Sequence, residues 1–203
     1  MIKVLSPFGP KIAKFKFSKQ LIDKINKEVD RINSNKLLAN KLDYSKELVG
    51  QVKQEISLPK LFVKKNLEKI ISKSIKEFVN KSLGKKPKTV KIKNVWVVRQ
   101  FSNEYNPVHF HDGHVSGVGY LKVPKFGTSK KKNLKTNGTI DFINGSKIFL
   151  SESIYNHSPK VGDVLLFPNY LMHTAYPFSA EGERRSFSFN AEIDKKIANI
   201  FSK

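Results

Sequence analysis

Four of the five histidines of this chain fall in two short segments, and their spacing suits a metal ion. In NPVHFHDGHVSGVGYL, His109 and His111 stand two residues apart. On an extended strand such a pair projects from one face, so both imidazoles can reach one ion. His173 follows 62 residues later in LFPNYLMHTAYPF and offers a third donor from a different strand. Two neighbours and a distant third make the pattern of a facial triad, which leaves positions open for a co-substrate and for oxygen. A lone His-x-His pair also occurs as plain polar surface, so the pair needs support from elsewhere in the chain.

That support comes eleven residues after His173, in ERRSFSFNAEI. Strand alternation puts Arg184, Ser186, Ser188 and Asn190 on one face and Arg185, Phe187 and Phe189 on the other. The polar face suits the wall of a small wet pocket. An inward arginine with a serine two residues on is a carboxylate receptor, because the guanidinium fork grips a carboxylate in two places. Arg185 is the competing choice, but it falls in register with two phenylalanines.

These residues need elements to carry them. Ser18 is placed to cap a helix whose apolar stripe is Leu21, Ile22, Ile25, Val29 and Ile32. A second helix is expected from about Pro59, capped by Ser57, with a stripe from Val63 to Val79 and an end at Gly84 and Pro87. Residues 35–56 read as irregular. After Pro87 the texture changes to short strands, at 89–101, 107–111, 115–123, 138–143, 146–151, 163–167 and 184–193. In the first of these, Val90, Ile92, Asn94, Trp96 and Val98 would share a face. Short strands punctuated by Gly, Asn and Pro suggest a jelly roll. The expected fold class is mainly β with flanking helices: a double-stranded β-helix, cupin-like, with N-terminal α-helices packed on it. The 203 residues read as one domain, with residues 1–88 as N-terminal strand and helical support and 89–203 as the jelly-roll core.

Composition narrows the class further. Cysteine is absent, which rules out a disulfide framework, a thiolate metal site and a cysteine nucleophile, and fits a reducing, intracellular (cytoplasmic) setting. No apolar run approaches a membrane span, and the first residues lack a signal-peptide core. The net charge of +21 invites a nucleic-acid reading. However, only Arg31, Arg99, Arg184 and Arg185 among the 38 basic residues are arginine, the residue that grips phosphates and guanines bidentately. Abundant Lys, Ile, Asn and Phe share AT-rich codons, so a virus or another AT-rich genome accounts for the excess. Weak, non-specific, salt-sensitive polyanion binding is the expected side effect. The densest run, Lys125 to Lys135, reads as a solvated loop that could rim the site.

Residues 94–193 resemble the 2-oxoglutarate and iron(II)-dependent oxygenase family of the prolyl-hydroxylase-like superfamily. NPVHFH, SGVGYLKVP, SPKVGDVLLFPNYLMHTAYPF and ERRSFSFN match it in order and spacing. The resemblance implies that iron(II) is held by His109 and His173, and that Arg184 and Ser186 hold the distal carboxylate of 2-oxoglutarate with help from Tyr120. Asn106, Ser116 and Asn190 are further candidates to line the pocket. The superfamily usually writes His-x-Asp for the paired ligands, whereas this chain has His111 there. His111 ranks first for the third position and Asp112 second, since a neighbour of His111 points to the other face unless a bulge turns it. His114 ranks third. The activity implied is hydroxylation of a substrate C–H bond, leaning to a peptidyl prolyl residue of a protein or peptide, with O2 consumed and succinate and CO2 released. Two other classes stand beside it: a three-histidine cupin-type iron dioxygenase without 2-oxoglutarate, and a non-catalytic basic jelly roll that binds nucleic acid. The sequence specifies no oligomeric state.

Overall fold

The computed structural model describes residues 8–126 and 136–201. Most of the lysine-rich stretch expected to rim the site, Lys125 to Lys135, lies outside the described residues (127–135), as do 1–7 and 202–203.

Among the described residues, ten strands form two antiparallel sheets. The larger has the order β1 (Ala13–Lys16), β8 (Asp163–Pro168), β5 (Val115–Lys122), β10 (Arg184–Ile193), β3 (Val90–Gln100), β2 (Gln54–Ser57). The smaller has the order β4 (Asn106–His109), β9 (Met172–Ala175), β6 (Ile140–Ile143), β7 (Ile154–His157). Their facing sides enclose a small apolar cluster, including Val118, Tyr120, Phe142, Leu165 and Phe167. The outer face of the large sheet is covered by helices, and the main core lies there. This is the mainly β architecture, flanked by helices, that the strand pattern predicts.

Helix α1 (Lys19–Asn33) begins where expected: the Ser18 hydroxyl accepts a hydrogen bond from the Leu21 amide. Its stripe of Ile22, Ile25, Val29 and Ile32 packs with Val95, Val97, Phe187 and Phe189 of the large sheet. The second expected helix is two: α3 (Lys60–Asn66) and α4 (Glu68–Leu83). Asn66 turns its side-chain amide onto the Phe62 carbonyl, and Leu67 swings to φ −117° between the two. Ser57 does not cap this helix, because β2 takes it into the sheet opposite Trp96. Gly84 ends α4 in the left-handed conformation, as its position suggested.

Residues 35–56 are not irregular. They carry α2 (Lys36–Lys41), a 3-10 turn at Ser45–Glu47 and β2, each too short to show a period. The strand expected at 146–151 is a turn in which Leu150 has φ 63°, and the strand lies further on, at β7. In β3 the register against β10 slips between Asn190 and Ala191, so Ile92 opposes Ala191 while Asn94 opposes Asn190. Lys93 is the extra residue of a bulge, and it reverses the alternation. Val90 and Ile92 therefore pack toward the helices, while Asn94, Trp96 and Val98 face the inter-sheet cavity.

In β5, Gly117 and Gly119 lie directly opposite Phe189 and Phe187 of β10, whose rings cross the glycine backbone. A methyl added at Gly119 would stand inside van der Waals contact with Cε1 of Phe187. Gly119→Ala should therefore destabilise the fold by about 1–3 kcal/mol through overpacking. Chemical unfolding monitored by circular dichroism checks this.

Candidate metal centre and its cavity

The inner face of the large sheet is a grid fixed by strand register. Arg184 stands opposite Gln100, Ser186 between Val98 and Tyr120, Ser188 between Trp96 and Val118, and Asn190 between Asn94 and Ser116. Polar residues of β10 thus run down the middle of this wall. The small sheet lies over it, and the space between is a cavity of about 260 Å³ that both sets of predicted site residues line.

At the Asn190 end, β4 and β9 pair His109 directly with His173. His111 sits two residues on, just past the end of β4. The ring centroids are 4.3 Å apart for His109 and His173, and 4.9 Å for each of the other two pairs. One nitrogen from each ring lies within 4.8 Å of the others, and among the described residues this is the only such group of three able to hold a metal ion. Two rings are oriented by the backbone: Nδ1 of His109 is 2.7 Å from the Pro107 carbonyl and Nδ1 of His173 is 2.9 Å from that of Leu171. Both contacts make Nδ1 the protonated nitrogen and leave the Nε2 lone pair free. His111 is held through its backbone. Its amide donates to the Asn169 carbonyl, and the Asn169 side chain donates to the His111 carbonyl, each at 2.9 Å. Its Nε2 stands 3.2 Å from Nε2 of His173.

Burial lowers the pKa of all three histidines. His111 is held down to about 3, with His109 adding to the effect of burial, and His173 lies well below the ordinary value. All three are neutral near pH 7, as metal coordination requires. Phe167 and Phe142 flank His173, and Trp96 and Phe167 flank His111, so the centre is walled by aromatic rings.

Asp112 reaches the cavity rim but is exposed and outside this group. His114 is turned to the end of β10, where Nδ1 accepts the Ile193 amide at 3.0 Å. Ser116, buried beside Asn190 on the same face, does not line the cavity; its hydroxyl donates to Asn190 at 2.9 Å. Asn106 and Asn190 do line the cavity.

At the other end lies Arg184, 3% exposed. Its guanidinium donates to the Gly138 carbonyl at 2.7 Å and to Oε1 of Gln100. Its Nε is buried with no partner, and among the described residues no carboxylate pairs with it. Asp163, on β8 beside Tyr120, is engaged by Lys14 at 3.2 Å and His157 at 3.4 Å. Tyr120 is buried, and burial pushes its hydroxyl up to about 12, so it keeps its proton and can donate. Arg185 goes the other way. It is buried on the helix side in ion pairs with Glu183 and Asp30, both at 2.8 Å.

The donor set fits the groups that the sequence resemblance implies. Three neutral imidazoles, each with one ring nitrogen turned into the cluster, suit a first-row metal such as iron(II). A buried guanidinium without an anion suits one carboxylate of a dicarboxylate such as 2-oxoglutarate. Three residues that bear on the site carry no sequence signal: Asn169, which clamps His111; Gln100, which braces Arg184; and Glu55. Glu55, on β2, also lines the cavity. Burial, and then Asp43, raise its pKa from 4.5 to about 7. The folded state therefore keeps this proton across a pH range in which the unfolded chain gives it up. Stability falls as pH rises from 4.5 to about 7 and loses nothing more above that. Glu55→Gln should stabilise the fold by about 2–3 kcal/mol at pH 8 and by almost nothing at pH 4. Urea unfolding at the two pH values checks this.

Residues 94–190 match the family model described as "Putative 2OG-Fe(II) oxygenase". No curated protein sequence matches the chain. Among solved structures, it is similar to the viral collagen prolyl hydroxylase of Paramecium Bursaria Chlorella virus-1, solved as its 2-oxoglutarate complex (19% identity, 89% of this chain and 94% of that one, TM-score 0.54). It is also similar to a Pseudomonas putida prolyl-4-hydroxylase (12% identity, 90% and 91%, TM-score 0.59). HygX from Streptomyces hygroscopicus, solved with nickel, 2-oxoglutarate and hygromycin B, is a third (12% identity, 89% and 82%, TM-score 0.57). At these identities the likeness shows the fold, the double-stranded β-helix. The family match and the histidine cluster fall on the same stretch, residues 94–190.

Proposed function

We propose that this protein hydroxylates a C–H bond of its substrate, a prolyl residue of a peptide, with iron(II) on His109, His111 and His173 and the distal carboxylate of 2-oxoglutarate on Arg184. The observation that carries this reading is the pairing of two features in one cavity: a cluster of neutral imidazoles at one end and an uncompensated buried guanidinium at the other. Iron(II) with 2-oxoglutarate and O2, when bound, supplies the oxidation: one oxygen atom goes into the C–H bond and the other into succinate, and CO2 leaves.

The rest is the work of the chain. His109 and His173 present Nε2 because their Nδ1 protons are committed to backbone carbonyls. Asn169 holds His111 in place beside them. Arg184, braced by Gln100, attracts a dianion and fixes its far end, while Tyr120 and Ser186 offer hydroxyls next to it. Trp96, Phe142 and Phe167 keep water from the histidine cluster. Support for a prolyl substrate is the recurrence of prolyl hydroxylases among the similar folds.

The test is aerobic turnover of short proline-containing peptides under labelled O2, followed by mass spectrometry. One labelled oxygen on the peptide for each labelled succinate is expected. Succinate formed with no oxygen on any peptide would refute the prolyl reading.

A further inference from the structure

On the β2 side of the cavity stands a carboxyl that neither iron nor 2-oxoglutarate employs. Glu55 lies opposite Val98, so it shares the inner face of the sheet at the edge beyond β3, two strand spacings or roughly 10 Å from the Ser186 column. It is 2% exposed, and its Oε2 is buried with no hydrogen-bond partner. In a chain with 38 basic residues, no lysine or arginine among the described ones pairs with it.

Two more buried acceptors in the same cavity lack partners: Oδ1 of Asn94 and Oδ1 of Asn106. The Asn94 amide nitrogen is already committed to the Tyr44 hydroxyl, at 2.5 Å. Asn106 and Glu55 both pack against the backbone of Gly50, since a Cβ there would stand 2.7 Å from Oε1 of Glu55 and closer still to Oδ1 of Asn106. Turning the Asn106 amide end for end would satisfy at most one carboxyl oxygen. Once Glu55 is ionised, the corner holds several acceptors without matching donors. Buried acceptors in native proteins have donors, and an ionised buried carboxyl calls for a charged one.

We propose that Glu55, with Asn94 and Asn106, forms a substrate subsite for a cationic nitrogen, so that the substrate carries an ammonium group near the carbon to be hydroxylated. This inference rests on the oxygenase reading and names its substrate class. Burial and Asp43 make ionisation of Glu55 costly, and an arriving cation would relieve that cost. The ammonium can come from a lysyl side chain of a peptide or from a small amine such as an amino sugar.

The experiment compares matched probes in the parent and in Glu55→Gln, with succinate as readout. One pair is a proline-containing pentapeptide bearing lysine or Nε-acetyl-lysine beside the proline, and the other is glucosamine against N-acetylglucosamine. In the parent, the charged member of at least one pair should have a KM at least tenfold lower than its neutral partner. That gap should close in Glu55→Gln through a higher KM for the charged member. The pair that shows the gap identifies the source of the ammonium. Equal handling of both members of each pair by the parent, or a gap that survives in Glu55→Gln, overturns the subsite. The anaerobic iron–2-oxoglutarate absorption band is recorded first on the same parent preparation. Its absence would sink the oxygenase reading, whereas its presence with equal handling of each pair sinks the cation subsite alone.

Discussion

Arg184→Ala should leave iron(II) bound and weaken 2-oxoglutarate by about 3–5 kcal/mol, the cost of leaving one partner of a buried charge pair alone. The physical basis is the isolation of this guanidinium. It is buried, its Nε has no partner, and Asp163 nearby is already engaged by Lys14 and His157. Arg184→Lys should recover only part of the loss, since an ammonium cannot form the bidentate fork. Arg185→Ala is the matched control, and it should behave differently. Arg185 holds Glu183 and Asp30 on the helix side, so its loss should cost folding stability, about 3 kcal/mol, with little change in 2-oxoglutarate affinity. A binding titration at fixed iron and a denaturation curve separate the two effects. If Arg185→Ala alone destroys 2-oxoglutarate affinity, the assignment of faces on β10 is wrong.

His173→Ala and His109→Ala should each abolish stoichiometric iron(II) binding while the far-ultraviolet circular dichroism stays that of the parent. Both rings pack in the apolar space between the sheets, His173 with Phe142 and Phe167, and each has one nitrogen turned to a backbone carbonyl. Removing either leaves two donors, too few to hold a labile first-row ion tightly. His111→Ala should do the same, whereas Asp112→Ala should bind iron like the parent, because Asp112 stands exposed outside the group. Equilibrium dialysis with iron(II) under nitrogen decides each case. Iron binding by any of the three histidine variants at parental stoichiometry would remove that residue from the ligand set.

How much of this was legible in the sequence differs from residue to residue. The alternation of β10 separated Arg184 from Arg185 correctly by face. It could not tell that Arg185 is also buried, because that depends on Glu183 and on Asp30 of α1, far away in the chain. The spacing of His109 and His111 brought both into one cluster with His173, yet only His109 lies within β4. What holds His111 is Asn169, at a turn 58 residues on, and no local pattern announces such a clamp. The face of β3 was misread at Val90 and Ile92, since the bulge at Lys93 exists only against β10. Glu55 was invisible for a different reason: β2 is four residues long, and its pairing with β3 is what turns the carboxyl inward. Long amphipathic elements reveal themselves by periodicity. Short ones take their shape from partners that are distant in sequence.

The central claim is that one cavity binds iron at its histidine end and 2-oxoglutarate at its arginine end. The most direct test is an anaerobic titration of the protein with iron(II) and then 2-oxoglutarate, watching for the weak visible charge-transfer band of the chelate. The account predicts no band with either component alone, a band that saturates at one of each per protein chain, and its loss in Arg184→Ala at 2-oxoglutarate concentrations that saturate the parent. Iron binding that is stoichiometric but blind to 2-oxoglutarate would contradict the account, and would favour a three-histidine dioxygenase that needs no keto acid.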